Sequence, residues 1–353
     1  MRRTRSGWVA IAWAPYSRRS EMFARELRGS LRCIHYLKFQ APAYAPLKYV
    51  LQSIRTLQVL FRERPSAIHV QSPPFVCGLV VDLYCRLTGA RFVIEHHTAS
   101  FGRAWDWALR LQRYVARRAV VNIVTSEHWA DLIRSWGARP LVMYDPFLEL
   151  PAGAPVTLAP GFNVAFISTF AADEPVDAVL DAARRMPEVR FSVTGDTRKP
   201  SAARFVADPP HNVTFTGFLD PNREYLGLLR AADAAMVLTT RDHTLQLAGC
   251  EAISVGTPLI TSDWPYLRDL FAKGAVFVAA TAESICDGIR EVIGRREELA
   301  KEIDAFRRTR RQEWDERLAE LEAAIAHPEA NGHRHGQEDQ AGGSTEEQVE
   351  GAR

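Results

Sequence analysis

No stretch of about 18 uncharged apolar residues occurs in the chain, so the sequence offers no membrane-spanning helix. Cysteine is scarce: Cys33, Cys77, Cys85, Cys250 and Cys286 are odd in number and lack metal-ligand spacing. That argues against a disulfide framework or a zinc site, and the apolar surroundings of four of them read as buried free thiols of a reducing compartment. A G-x-G-x-x-G turn is missing as well, which removes the dinucleotide fingerprint from the first half. The basic start MRRTRSGWVAIAWAPY has a short apolar run broken by Trp8, Trp13 and Pro15, with Ser17-Arg18-Arg19 where small cleavage residues would stand. A first buried strand is expected there, not a leader. Neither sign of charge dominates, at +2 overall.

What is present is unevenly spread. Residues 1–150 hold 20 arginines and 2 lysines against 10 acidic residues, and the remainder 22 basic against 32 acidic. A basic half beside an acidic one fits an anionic surface or polyanionic partner at one end, or simply a solvated arginine-rich surface. With 353 residues, 47% hydrophobic and 24% charged, the chain has the composition of a globular protein of about two domains. Strand-like runs (Trp8–Ala14, Leu31–Phe39, Ala67–Gln71, Arg91–Glu95, Val120–Thr125, Leu141–Tyr144) alternate with helical ones (Ser20–Leu27, Leu47–Arg62, Val76–Leu87, Ala104–Arg118). The Pro- and Gly-rich stretch Leu150–Gly161 reads as a linker, after which the alternation restarts at Asn163–Ile167. This pattern predicts two successive α/β domains, each a parallel sheet covered by helices. A charged helix from about Arg290 to Ala326 follows, then a tail without apolar periodicity, read as disordered. His333 and His335 in that tail are either a metal pair or incidental.

Ligands of open parallel sheets bind beyond the carboxyl ends of strands, near the reversal of strand order. Four strand ends carry candidate residues. Leu238–Ala252 ends a strand, passes through Thr239, Thr240, Arg241, Asp242 and His243, and is expected to start a helix near Thr244. A helix start suits a phosphate, and Glu251, two turns along on this reading, is placed to accept both hydroxyls of a ribose. Taken alone it is equally an exposed helix glutamate. Gly217-Phe218-Leu219 is, by itself, ordinary turn chemistry. Ile167–Pro175 carries Asp173 and Glu174, and the next strand end carries Arg198 and Lys199. Val93–Phe101 brings Glu95, His96 and His97 to one strand end, groups that can be tuned to act near neutral pH, or a loop that only caps a helix. Ser17 or Ser20 caps the first helix, and Arg18 and Arg19 are placed to grip an anionic acceptor. Arg103, Arg110, Arg113 and Arg117 fall on one side of a helix that suits a membrane interface, or packs on the sheet with its charges in water.

The block Leu238–Ser262 resembles the donor-site signature of retaining nucleotide-sugar glycosyltransferases of the GT-B fold, family 4 group. That signature has an acid, a glycine-rich turn, then a helix with Glu-Ala and a Gly-x-Pro before two hydrophobic residues, here Glu251-Ala252 and Gly256-Thr257-Pro258-Leu259-Ile260. The resemblance extends over nearly all of residues 8–326, specific in the second half and loose in the first. It implies two doubly wound Rossmann-like domains facing a cleft, with a C-terminal helix, marked by Trp314, returning to the first. The boundaries expected are 1–150 for an acceptor domain, 151–161 for the linker, 162–302 for a donor domain, 303–326 for the returning helix and 327–353 for the tail. It further implies that Glu251 holds the ribose and that Thr244, Leu245 and Gln246 face the diphosphate. His243, beside Asp242, stands where the family has its first acid, and Gly217 and Phe218 meet the base. Asp173 and Glu174 stand where the family has a lysine, leaving Arg198, Lys199 or Arg241 to neutralise the diphosphate. The loop in the first domain resembles the family's acid-x-His-Ser/Thr, which makes His97 and Glu95 the catalytic pair, Glu95 orienting His97 or taking the acceptor proton. Ser17, Arg18 and Arg19 fall on the acceptor side.

The function so implied is hexosyl transfer from a nucleoside diphosphate sugar, the co-substrate, to a saccharide or lipid-linked acceptor in cell-surface polysaccharide assembly. Retention of configuration is implied, with no metal or cofactor and no D-x-D loop. A cytoplasmic place at the inner face of the membrane is expected, with peripheral contact through the basic first domain and no nucleic acid. A nucleotide-sugar epimerase on the same fold and a catalytically silent nucleotide-sugar-binding subunit are the alternatives.

Overall fold

The computed structural model describes residues 6–37, 44–144, 147 and 149–327. The expected disordered tail from 328, with His333 and His335, lies outside them, as does the far end of the strand expected to reach Phe39. The chain divides into two compact units, residues 1–124, 129–141 and 317–353 in the first and 125–128 and 142–316 in the second.

The first unit runs β1 (Ser6–Ala12), α1 (Arg18–Glu26), β2 (Ser30–Cys33), α2 (Ala45–Glu63), β3 (Pro65–Ser72), α3 (Phe75–Thr88), β4 (Arg91–His96), α4 (Leu109–Arg118), β5 (Asn122–Val124), α5 (Glu127–Ser135) and β6 (Pro140–Val142). The first two residues of α5 belong to the second unit. Strand order is β2-β1-β3-β4-β5-β6, so the direction of winding reverses between β1 and β3. Strand periodicity divides the side chains between two faces. Val9, Ile11, Ile68, Val70, Phe92 and Ile94 join Leu60, Val81 and Val115 of α2, α3 and α4 in one apolar core. His69, Gln71 and Glu95, each one residue out of phase with that set, face α1 instead, where Phe23 stacks on His69 with ring centroids 4.5 Å apart. The helix expected over Ala104–Arg118 is a 3-10 turn (Arg103–Ala108) followed by α4, so Arg103 does not share a helix face with Arg110, Arg113 and Arg117.

The second unit runs β7 (Phe162–Phe166), α6 (Val176–Arg185), β8 (Val189–Thr194), α7 (Ala203–Val206), β9 (Val213–Gly217), α8 (Glu224–Ala231), β10 (Ala234–Val237), α9 (Leu247–Val255), β11 (Leu259–Ser262), α10 (Pro265–Leu270), β12 (Ala275–Val278) and α11 (Ala282–Ala326). Its order β12-β11-β10-β7-β8-β9 places the reversal between β7 and β10. The same alternation makes three layers. Ala234 and Met236 of β10 enter one core with Val164, Phe166 and Ile289, while Ala235 and Val237 enter another with Leu226, Ile253 and Leu259. Burying each such large side chain contributes about 1.5–3 kcal/mol. Gly256, in the left-handed region at φ 86°, stops α9 and lets the chain enter β11. The presumed linker is ordered on α8: Ala154 donates to the Arg223 carbonyl (2.9 Å), and Arg230 donates to the carbonyls of Leu150 and Pro151 (3.0 and 3.1 Å). Gly227 permits this approach, since a Cβ there would lie 1.9 Å from the Ala154 oxygen.

The last helix starts at Ala282, eight residues before the start read from the sequence, and runs unbroken to Ala326. Its residues from Arg317 belong to the first unit, where Glu320 pairs with Arg139 (3.2 Å) and the carbonyl of Ala326 accepts from Arg91 (3.0 Å). No helix among the described residues is long and apolar enough to cross a membrane.

Candidate functional site

In the second unit the chain after β7 and the chain after β10 meet at the reversal of strand order. After β7 the chain turns back on itself around one carboxylate. Glu174 accepts from the Ser168 hydroxyl (2.6 Å), from the amides of Thr169 (2.9 Å) and Ala171 (3.2 Å), and from the Thr169 hydroxyl (2.8 Å). Its neighbour ties the two loops together: Asp173 accepts from the Thr239 hydroxyl (2.8 Å) through its carboxylate and from the Thr240 amide (2.7 Å) through its carbonyl. Beyond Thr240 the chain passes through Asp242 and His243, which sits in the left-handed region at φ 53°. The His243 ring stacks on His128, centroids 3.8 Å apart, with Asp242 Oδ2 3.6 Å from its Nε2.

The helix does not begin at Thr244. It begins at Leu247 with Gln246 as N-cap, because Gln246 is still extended at φ −97° and ψ 91°. Gly249 and Cys250 donate to the Gln246 carbonyl (3.1 and 3.2 Å), which leaves the amides of Leu247 and Ala248 without an intrahelical partner, and Glu251 lies one turn along, not two. Glu251 is half-buried and accepts from the Tyr225 hydroxyl (2.8 Å). Gln246 is buried, its side-chain oxygen accepting from the Thr261 hydroxyl (2.6 Å), and Leu245 packs against the core. Thr244 donates to the Asp242 carbonyl (3.3 Å). Gly217 takes φ 74° at the end of β9, and Phe218 beside it is 72% exposed.

Two of the three cations considered for a diphosphate are engaged locally. Arg198 forms a forked pair with Asp196 (2.8 and 3.0 Å), and Lys199 donates to the Thr169 carbonyl (2.8 Å). Arg241 is exposed, its amide donating to the Thr239 hydroxyl (3.1 Å).

The first unit gathers charge at its own reversal. The register pairs Gln71 with Glu95 and Ser72 with His96, which sends Glu95 and His96 to opposite faces. Glu95 is fully buried. Arg19 Nε contacts its Oε1, His97 Nε2 lies 3.3 Å from the same oxygen, and His69 Nε2 lies 3.1 Å from Oε2. Burial alone would raise the Glu95 carboxyl. The charges of Arg19 and His97 and hydrogen bonds from His69 and His97 outweigh it and hold the group well below the usual carboxylate range. His97 keeps 34% of its side chain exposed, and its amide is fixed by the Ser72 carbonyl (2.9 Å). Arg19, expected to grip an acceptor, is buried in this cluster, so that expectation does not hold. Ser17 is likewise buried and caps α1, accepting from the Ser20 amide (3.3 Å). Arg18 stays half-buried at the helix start.

A family model described as "glycosyl transferase 4-like domain" matches residues 4–143, and one described as "glycosyl transferase-like" matches residues 177–323. The chain belongs to the family 4-like glycosyltransferases of the GT-B fold. No curated protein sequence matches it. Among solved structures, the glycosyltransferase is similar to sucrose-phosphate synthase from Thermosynechococcus elongatus, at 14% identity over 91% of this chain and 98% of that one, TM-score 0.66. It is also similar to HepE of Anabaena in complex with UDP and glucose, at 13% identity over 90% and 99%, TM-score 0.64. The pneumococcal O-GlcNAc transferase GtfA, in complex with UDP and GlcNAc, matches at 14% identity over 78% and 59%, TM-score 0.51.

Sequence reasoning missed His69, His128 and Tyr225 of the glycosyltransferase. His69 left a faint signal, a histidine inside the apolar run Ala67-Ile68-His69-Val70, whereas Tyr225 has nothing local to mark it. His96, next to the cluster, does a different job. It is buried with Nε2 3.0 Å from the Asn122 side-chain oxygen, and burial, against the opposing effects of Asn122 and Glu95, pushes it from 6.5 down to about 4. A base with a depressed folded value is protonated first in the unfolded chain. Stability is therefore full above pH 6.5 and is lost as the pH falls toward about 4, by roughly 3 kcal/mol. His96→Gln keeps a donor for Asn122 and does not titrate. It should flatten the dependence of urea-unfolding stability on pH in that window, and an unchanged slope would count against the assignment.

Proposed function

We propose that this glycosyltransferase transfers a hexose from a nucleoside diphosphate donor to a lipid-linked saccharide, with retention of configuration and without a metal, during assembly of a cell-surface polysaccharide. The observation that carries the donor reading is Glu251, tethered by Tyr225 one turn inside a helix whose first amides are open to an anion. In this reading the amides at Leu247 and Ala248 receive the diphosphate, Glu251 accepts the ribose hydroxyls, and Gly217 with Phe218 borders the base. Arg241 supplies the cation, because Arg198 and Lys199 are held by Asp196 and Thr169. The HepE and GtfA structures contain UDP, which makes uridine diphosphate sugars the first donors to try.

In the transfer, the bond from the anomeric carbon to the diphosphate oxygen breaks and its electron pair leaves with the diphosphate. The acceptor hydroxyl oxygen bonds to that carbon and its proton passes to the departing diphosphate. Amides and Arg241 stabilise the charge that grows on the leaving group, an electrostatic contribution that strengthens as water is excluded. His97, oriented by Glu95, hydrogen-bonds an acceptor hydroxyl. Glu95 itself is buried and charge-paired, which favours orientation over proton abstraction.

Purified protein mixed with UDP and GDP sugars, with and without a membrane lipid extract, tests this. Sugar appearing on lipid supports the reading. An isomerised donor formed without acceptor points to an epimerase, and nucleotide binding without turnover to a silent subunit; either overturns it.

A further inference from the structure

We propose that the outer face of α2, together with the arginine-lined cavity beside it, docks the protein onto an anionic phospholipid surface. Helix α2 sends Val59 and Leu60 into the core near its carboxyl end, but over its first three turns polar side chains are buried and apolar ones exposed. Its buried side includes Lys48, Gln52 and Thr56, with Gln52 donating to the Ile34 carbonyl (2.8 Å) and Thr56 accepting from the Trp13 indole (2.9 Å). Its exposed side carries Leu47 (56% exposed), Val50 (56%), Ile54 (51%) and Phe61 (46%). Spacings of three, four and seven place these on one stripe, roughly 20 Å long at 1.5 Å per residue. The edge of Phe61 meets Tyr84 of α3 (5.1 Å), and α3 adds the exposed Leu83 and Leu87.

Arg55 and Arg62 follow Ile54 and Phe61 directly, two turns apart, and so flank the stripe on one side. With Arg28, Arg32 and Glu63 they line a cavity of about 890 Å³. Its single acid is engaged: Glu63 accepts from Arg32 Nε (2.7 Å) and from the Ser30 hydroxyl (3.3 Å). The carboxyl ends of α1 and α2 both reach this place, and one cation at each would complement the helix dipoles. Four arginines exceed that need. Arg28 also occupies the left-handed region at φ 52°, a position that glycine fills at less strain.

A soluble anion explains the arginines but not the stripe, and an apolar partner explains the stripe but not the arginines. A bilayer of anionic lipid presents both at once, acyl boundary beside head-group phosphates, and arginine reaches from one to the other. The cavity borders Gly7, Trp8 and Val9 at the amino edge of the sheet, away from Ser17, Glu95 and His97 at its carboxyl edge, so docking leaves the latter uncovered. The face is not the one read from sequence. On α4, Arg117 is bound to the Trp136 carbonyl, while Arg110 and Arg113 stay exposed. The proposal deepens the lipid-linked acceptor reading and draws its purpose from it.

The test is flotation of the full chain with vesicles of phosphatidylcholine alone and of phosphatidylcholine mixed with phosphatidylglycerol. Binding is expected to the mixed vesicles only and to weaken as salt rises. Each arginine lost should cost about fivefold in vesicle affinity, so R55S/R62S should bind roughly 25-fold more weakly, while R55K/R62K keeps most of the affinity. V50S/I54S should weaken binding too, and melting temperatures of all variants separate these effects from unfolding. Equal binding to neutral vesicles, full binding by R55S/R62S, or binding of glycerol 3-phosphate without vesicle binding would overturn the proposal. UDP binding, read in parallel by thermal shift, keeps the two readings apart. UDP binding without vesicle binding removes docking alone; vesicle binding without UDP binding removes the donor site alone.

Discussion

Glu251→Ala is expected to raise the Kd for the preferred nucleotide sugar about a hundredfold while the melting temperature stays within a few degrees of the parent. A hydrogen bond to a charged group contributes about 1.5–3 kcal/mol, and two ribose hydroxyls on one carboxylate therefore approach 3 kcal/mol or more. The fold has little at stake. Glu251 is half-buried on α9, where it accepts from the Tyr225 hydroxyl, and alanine is a good helix former. Tyr225→Phe is the companion variant: it leaves the carboxylate in place but removes the hydrogen bond from the Tyr225 hydroxyl, and should weaken binding about three- to tenfold. Isothermal titration with UDP and GDP sugars reads both. Parental affinity in Glu251→Ala would end the donor assignment, because no other carboxylate on α9 could replace it.

The second large effect belongs to Glu95, and it splits between stability and turnover. Glu95→Ala removes the carboxylate paired with the buried guanidinium of Arg19, and breaking a buried pair from one side costs about 3–5 kcal/mol. It also releases His97, so turnover should fall by about two orders of magnitude, in the range typical for a general acid or base. Glu95→Gln, which preserves shape and accepts one hydrogen bond, should fold better and still turn over poorly. The pH signature has a definite sign. A carboxyl whose folded value is depressed contributes stability that is complete above its ordinary value of 4.5 and fades as the pH falls below that toward the folded value. The stability gap between parent and Glu95→Gln should therefore narrow below pH 4.5, under the window assigned to His96. Denaturant melts from pH 8 to pH 3 would show it. A gap that stays constant through acid would mean that Glu95 is not held ionised by Arg19 and the histidines.

Much of the fold is legible in the sequence for a simple reason. Each parallel strand is a short run of Val, Ile, Phe and Ala between turn residues, and two such series separated by Leu150–Gly161 can be read without long-range information. The block from Leu238 to Ile260 is legible because its chemistry is local, a polar turn, a helix and a Gly-x-Pro stop in one stretch. Other features are not local. Arg19 reads as exposed because arginines mostly are, and its partner lies three strands of chain away. The helix start reads three residues early because nothing in the residue types announces that the chain stays out of the helix until Leu247. Arg198 and Lys199 read as available cations, but Asp196 and the Thr169 carbonyl, both within reach of the same strand ends, engage them. The exposure of Leu47, Val50 and Ile54 is hidden for the same reason: they follow helical spacing, and periodicity alone does not say which side of a helix is inside.

The loop after β7 carries its own anion. Its amides at Thr169 and Ala171 already hold an anion, the carboxylate of Glu174, supplied by the chain itself. A visiting phosphate must therefore evict a competitor tethered by five residues, whose local concentration is on the order of millimolar or higher. Inorganic phosphate, with nothing else to hold on to, would lose that contest, whereas a larger ligand anchored elsewhere in the unit could win it. A built-in occupant of this kind works as a filter, leaving the loop indifferent to loose anions and open only to those that arrive already attached.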